Sequence, residues 1–226
     1  LDLMAEAGFR KVFVGIESPD EDSLVECEKI QNTQRDLVTA VRTIQQSGME
    51  VMGGFIIGFD ADRPGIFERQ RRFIEESGIV TAMVGLLMAL PGTRLFTRLS
   101  HENRILHDSS GNNLDGVLNF IPKLDREYLV QGYRSLLKHL YAPGAYYDRI
   151  LCFLREYRPK GPKLRIAWRD WMALIKSLWI IGIRTRGRRA YWRFVTKVLL
   201  FHRRAFPEAI TLAILGHHFR RVAAAL

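Results

Sequence analysis

Three short apolar runs, at residues 12–17, 51–58 and 80–90, alternate with two stretches in which apolar residues return every three or four positions. The runs are rich in β-branched and aromatic residues and too short for helices, which predicts strands buried on both faces of a parallel sheet. After the first run, Ser18 fits an N-cap, Pro19 a first helical position and Glu21 a capping-box partner, with the helix running to about Lys29. Thr33 and Asp36 mark a second helix start, whose buried face of Leu37, Val38, Val41 and Ile44 stops at Gly48. Phe67, Phe73 and Ile74 belong to the helix before the third run, and Leu1, Leu3 and Met4 form a partial stripe that ends at Gly8. Beyond residue 122 the pattern is helical throughout. Asp125 caps one helix, Pro143 begins another, and three more are predicted over 168–183, 191–202 and 207–222.

Strands alternating with helices through short connections predict an α/β fold with parallel pairing and right-handed crossovers. Ligands in such sheets sit at the C-terminal ends of the strands, and the unusual residues fall there: Gly15-Ile16-Glu17-Ser18, the stretch from Gly53 to Asp60, and Leu90-Pro91-Gly92-Thr93. Gly53 and Gly54 weaken a strand but let a ligand or another backbone approach closely. Three such units cannot close a barrel, and the first strand would be an open edge. The opening residues read as the middle of a helix, without a charged leader or cleavage site, so further strands are expected before Leu1.

Composition narrows the class. With 47% hydrophobic residues in 226, the chain has enough apolar material for a core, which excludes disorder. The net charge of +10 is unevenly spread: residues 1–154 carry 17 basic against 21 acidic residues, a net of −4, and residues 155–226 carry 17 against 3, a net of +14. Two cysteines, Cys27 and Cys152, show no CxxC, no Cys-His ligand spacing and no paired pattern suggesting a disulfide framework, which fits a reducing, cytoplasmic location. No apolar run reaches the roughly 18 residues of a membrane span.

Gly15-Ile16-Glu17-Ser18-Pro19, the run from Gly53 to Asp60, and Leu90-Pro91-Gly92-Thr93-Arg94-Leu95, at these spacings, resemble the second half of the radical SAM barrel. The resemblance covers roughly residues 1–105 and is nearest to the group with an N-terminal cobalamin-binding domain. Residues 113–159, with Ile121-Pro122-Lys123, Gly132-Tyr133, Leu140-Tyr141 and Tyr146-Tyr147, resemble the helical C-terminal extension of some of these proteins. The chain then divides into a partial barrel (1–105), a helical extension (106–159) and a basic, aromatic-rich helical tail (160–226).

The resemblance implies S-adenosylmethionine as cofactor, with a [4Fe–4S] cluster and cobalamin in the complete protein. It gives Glu17 the ribose or methionine moiety and Lys29 the methionine carboxylate, which suits a hydrogen-bond acceptor and a cation. Ser18 lies beside them. Gly54 stands where some relatives place an aspartate, and Leu90 borders the adenine. The CxxxCxxC cluster motif and the family's glycine-rich loop are not in this sequence. The chain therefore reads either as the C-terminal part of a radical SAM enzyme, a methyltransferase among the reactions implied, whose partner is its own N-terminal half, or as a non-catalytic remnant.

Each of these residues also has a plain structural reading. Glu17 fits a strand-end carboxylate bonded to a helix N-terminus, Ser18 a helix cap, Lys29 a helix-end cation, and Gly53 and Gly54 relief of crowding. Asp60 and Asp62 flank a turn and are expected to be solvated. His217 and His218 point to different helix faces, which disfavours a metal site, and both cysteines fit buried apolar roles. For the tail three readings stand: an interfacial module on an anionic membrane surface, with Trp168, Trp171, Trp179 and Trp192 at headgroup depth; a bundle packed on the N-terminal half; and nucleic-acid binding, which would not require its long apolar faces.

Overall fold

A computed structural model describes residues 1–107, 118–160 and 167–225. The extension expected from residue 113 and the linker expected over 158–162 thus lie partly outside the described residues. In chain order the elements are α1 (Asp2–Glu6), β1 (Lys11–Glu17), α2 (Glu21–Glu26), α3 (Leu37–Gln46), β2 (Glu50–Ile57), α4 (Ile66–Ser77), β3 (Thr81–Leu86), α5 (Arg94–His101), α6 (Arg126–Leu140), α7 (Pro143–Glu156), α8 (Trp168–Trp179), α9 (Arg188–Phe201) and α10 (Phe206–Ala225). The strands form a parallel sheet in the order β1-β2-β3, so β1 is an edge as its sequence position suggested.

Local chemistry moves several boundaries. Asp20, not Ser18, is the N-cap of α2 and accepts from Asp22 N; Ser18 Oγ accepts from Asp20 N one step earlier, so the two polar residues cap in relay. This helix ends at Glu26, because Glu28 turns left-handed at φ 60°, and Lys29 begins a short 3-10 turn. Asp36 rather than Thr33 caps α3, accepting from Thr39 N at 3.0 Å. The third strand stops at Leu86, and α5, which the sequence reading did not foresee, starts where Thr93 Oγ1 accepts from Phe96 N.

Only one face of the sheet is buried, not two. Val51, Gly53, Phe55 and Ile57 of β2 are buried beneath the helices, together with Ala82, Val84 and Leu86 of β3. The opposite face carries Phe13, Met52, Gly54, Ile56, Met83 and Gly85, and there Phe13 is 61% and Met83 46% exposed. A parallel sheet normally has both faces covered, and no described element covers this one.

The helical extension closes one end of the sheet. Gly48, just before β2, has φ +90°, and a Cβ there would meet the backbone of Arg158 and Lys160 at 2.8 Å. Gly78, just before β3, has φ +69° and abuts the α7 backbone at Phe153 N, 3.0 Å from where a Cβ would lie. Ahead of β1, Arg10 reaches Glu208 of α10 at 3.9 Å. Arg149 of α7, 2% exposed, donates from Nη2 to Val80 O and Leu140 O, and burial holds its pKa below the usual guanidinium range. Tyr141 donates to Ala82 O at 2.7 Å, and burial pushes its hydroxyl up to about 12. The N-terminal ends of β2 and β3 are thus held by the extension, and that of β1 is reached by the tail. Its aromatic positions form the interior that receives the tail, with Tyr147 stacked on Phe194 at 4.9 Å and Tyr141 against Phe219.

Candidate functional site

The C-terminal ends of the strands, left free by the helices, hold the sequence-selected residues. In β1 the register slips between Gly15 and Glu17, and Glu17 sits at φ 68°, a left-handed conformation that a non-glycine residue adopts at a cost of about 1–2 kcal/mol. The bend folds the carboxylate back over Gly15, where a Cβ would overlap Glu17 Oε1. There Oε1 meets Lys29 Nζ at 3.2 Å, and Nζ also donates to Gly15 O at 3.4 Å. The reading of Glu17 as a cap for a helix N-terminus is replaced by this pairing. Strain of this kind persists where the surrounding structure enforces it, often at a ligand site.

Gly54 is in register with Gly15 on the open face, and Ile56 with Gly85 on the next strand. A Cβ at Gly85 would have nothing within 4 Å, while one at Gly54 would meet only the ring of exposed Phe13. Gly15, Gly54 and Gly85 therefore make a glycine floor at the C-terminal half of the open face, interrupted by Met83 and Ile56 and overlain at Gly15 by the Glu17 carboxylate and at Gly54 by the Phe13 ring. Below it lie Phe13 and Met52, and at the N-terminal end Glu50 pairs with Lys11 at 2.8 Å and accepts from Thr81 at 2.9 Å. Gly15 lay inside a recognised motif but was not singled out. Gly85 was missed, although a glycine interrupting a strand-like apolar run was its signal.

Ser18 is fully buried, with its oxygen committed to Asp20 N. Leu90 is 45% exposed in the turn after β3, whose carbonyl accepts from Thr93; among the described residues no hydrogen bond joins it to Glu17, Ser18 or Lys29. The segment before it is fixed by Asn119, which bonds both Ala89 N and Ala89 O. The structure thus groups Glu17, Lys29 and the glycine floor, and leaves Leu90 at a separate rim.

The two aspartates of the β2 loop are structural rather than solvated. Asp62 is buried and accepts from Ser23 Oγ at 2.6 Å, Gly58 N at 2.7 Å and Phe59 N at 3.1 Å; burial pushes its pKa up despite these bonds. Asp60 is held by Arg98 at 2.7 Å and Arg104 at 2.6 Å. Burial would raise its carboxyl, but the two guanidinium groups outweigh it and hold it below the usual 3.8. Arg98 also reaches Glu26, and Glu26 accepts from Ala61 N, so α2, the loop after β2 and α5 are braced together.

Could these residues hold a cofactor? An open glycine floor beside a carboxylate and an ammonium fits a flat, polar ligand that carries both charges. The chain does not fit an iron–sulfur cluster, which needs several thiolates: Cys27 bonds Leu24 O, Cys152 lies near Glu76 O, and burial raises both thiols. Among the described residues no group of His, Cys, Asp and Glu is placed to hold a metal.

A family profile described as "Domain of unknown function (DUF4070)" matches residues 93–226. An uncharacterized methyltransferase of Synechocystis sp. (strain ATCC 27184 / PCC 6803 / Kazusa) is 38% identical over 226 residues, covering 97% of this chain and 42% of that protein. The hopanoid C-2 methylase of Rhodopseudomonas palustris (strain TIE-1) is 33% identical over 227 residues, covering 96% of this chain and 42% of that protein. The chain spans less than half the length of both curated relatives.

Proposed function

The chain belongs to the DUF4070 family, and on that premise we propose that it is the C-terminal half of a radical SAM methylase, supplying part of the S-adenosylmethionine site. The observation that carries this reading is the floor of Gly15, Gly54 and Gly85 at the C-terminal ends of the strands, flanked by the Glu17–Lys29 pair. The three strands are then the last part of a barrel whose other strands pair onto β1. The methylase and methyltransferase names of the two relatives support the class of reaction.

In this reading the ion pair opens onto its ligand. The methionine end of the cofactor is a zwitterion, so its ammonium exchanges for Lys29 on Glu17 and its carboxylate exchanges for Glu17 on Lys29. Charge is conserved and no buried ion is left alone. The glycine floor lets the ligand lie against backbone, and Leu90 supplies an apolar edge for the base. Bound S-adenosylmethionine would supply the radical-generating and methyl-donating chemistry. Cluster thiolates and cobalamin contacts belong to sequence outside this chain, and no residue here is assigned to them.

The test uses the complete protein and amide hydrogen exchange. S-adenosylmethionine should slow exchange in residues 15–18 and 53–58 while leaving α6 and α7 unchanged. Saturating ligand without protection in either segment would remove the proposal and favour the remnant reading.

A further inference from the structure

The tail contains a helix with two apolar faces. The inner stripe of α8, Leu174, Ser177 and Leu178, continues into Ile181 of the π-helical turn that follows (Ile180–Arg184) and packs on the protein, with Ser177 Oγ 2.9 Å from Tyr191 OH of α9. Rotated away from it is a second stripe of Trp168, Trp171, Met172, Ile175, Trp179 and Ile183, spaced at three, four, seven, eleven and fifteen positions, which keeps them on one side. Every member is at least 41% exposed, and Trp168 reaches 77%. The stripe runs along about 25 Å of helix. Among the described residues nothing covers it.

Its surroundings are basic. Between residues 167 and 207 there are ten Lys and Arg residues and one acid, Asp170. All ten are exposed, and none forms an ion pair among the described residues. Arg169 and Lys176 lie on the flank of α8 away from both apolar stripes. Arg184, Arg188 and Arg189 stand just past its end, where Trp192 Nε1 donates to Gly182 O and fastens the turn to α9.

We propose that the outer stripe of α8 docks this protein in the plane of an anionic phospholipid surface. Aromatic and aliphatic side chains enter the headgroup–acyl boundary, to a depth of about 5–10 Å, and the unpaired guanidinium groups meet lipid phosphates. Upstream protein is a poorer occupant, because the sheet edges that additional strands would meet are β1 and β3, and α8 packs on α10 and, through Ser177, on α9 instead. Nucleic acid would use the charges but leave the apolar stripe in water. No described helix is long and apolar enough to cross a membrane, so the contact is in-plane.

The test is co-sedimentation of the 226-residue chain and of the complete protein with vesicles of phosphatidylcholine, alone or mixed with phosphatidylglycerol, together with tryptophan emission. Both proteins should bind the anionic vesicles at least tenfold more tightly than the neutral ones, with a blue shift in emission. Trp171→Glu/Ile175→Glu should lose binding and shift while keeping its circular dichroism; Lys176→Glu should weaken binding several-fold and reduce its sensitivity to salt. Three results would overturn the proposal: binding by the double variant equal to wild type, no binding by the complete protein, or a dimer dissolved by the double variant without any lipid binding.

Discussion

The two ends of the three-stranded sheet differ in what meets them. At the N-terminal end every approach is filled: Gly48 and Gly78 are glycines because another backbone lies where a Cβ would be, and Arg10, Tyr141 and Arg149 tie strands to helices. At the C-terminal end the glycines face open space or movable side chains. Glycine at a packed position serves the fold, whereas glycine over empty space leaves room for something else. That difference is the ground on which the proposal seats a ligand at the C-terminal floor.

Substitutions can break or sharpen this contrast. The largest effect is expected at the closed end, where Gly78→Val combines a left-handed φ with a backbone neighbour and should lose about 3 kcal/mol in urea unfolding. Asp60→Asn, which removes the charge and one of the two acceptor oxygens that Arg98 and Arg104 share, should lose about 1–2 kcal/mol. It should also change the pH response. The depressed Asp60 carboxyl contributes stability that is complete above its ordinary 3.8 and is lost as pH falls through its lower folded-state value, so the variant should show a flatter acid limb. Asp62, raised by burial, acts oppositely and costs stability as pH climbs through its elevated value.

Smaller effects are expected at the open end. Glu17→Asn exchanges an exposed-side ion pair for a residue that tolerates φ 68°, so thermal unfolding should show a stability change within about 1 kcal/mol. Gly85→Ala adds a methyl group to vacant space and should change stability by less than about 0.5 kcal/mol. A large loss at Gly85 would mean that the floor is packed after all and would erase the distinction between the two ends.

Much of the α/β layout was legible because its signals are local. The parallel strands follow from three apolar runs, and the helices after Asp125 and Pro143 follow from a cap and a first-turn proline. Burial on one face only was not legible, since an apolar run looks the same whether one or both sides are covered. Nor were the roles of Asp60 and Asp62, whose partners Arg98, Arg104 and Ser23 lie 38 or more positions away in sequence. In the site, Glu17 and Lys29 were singled out by the family resemblance. Their mutual pairing depends on the bulge and left-handed turn at Glu17, and no residue type announces that geometry. The tail's tryptophans were visible in sequence. Their division into an outward stripe and the Trp192 clasp needed coordinates.

The central claim is that the Glu17–Lys29 pair beside the glycine floor receives S-adenosylmethionine. Its most direct test is calorimetric titration of S-adenosylmethionine into the complete protein and its Glu17→Ala variant. Alanine keeps the backbone cost at φ 68° and removes only the carboxylate. The account predicts at least tenfold weaker binding by the variant, with an unchanged unfolding midpoint; equal affinities in the two proteins would contradict it.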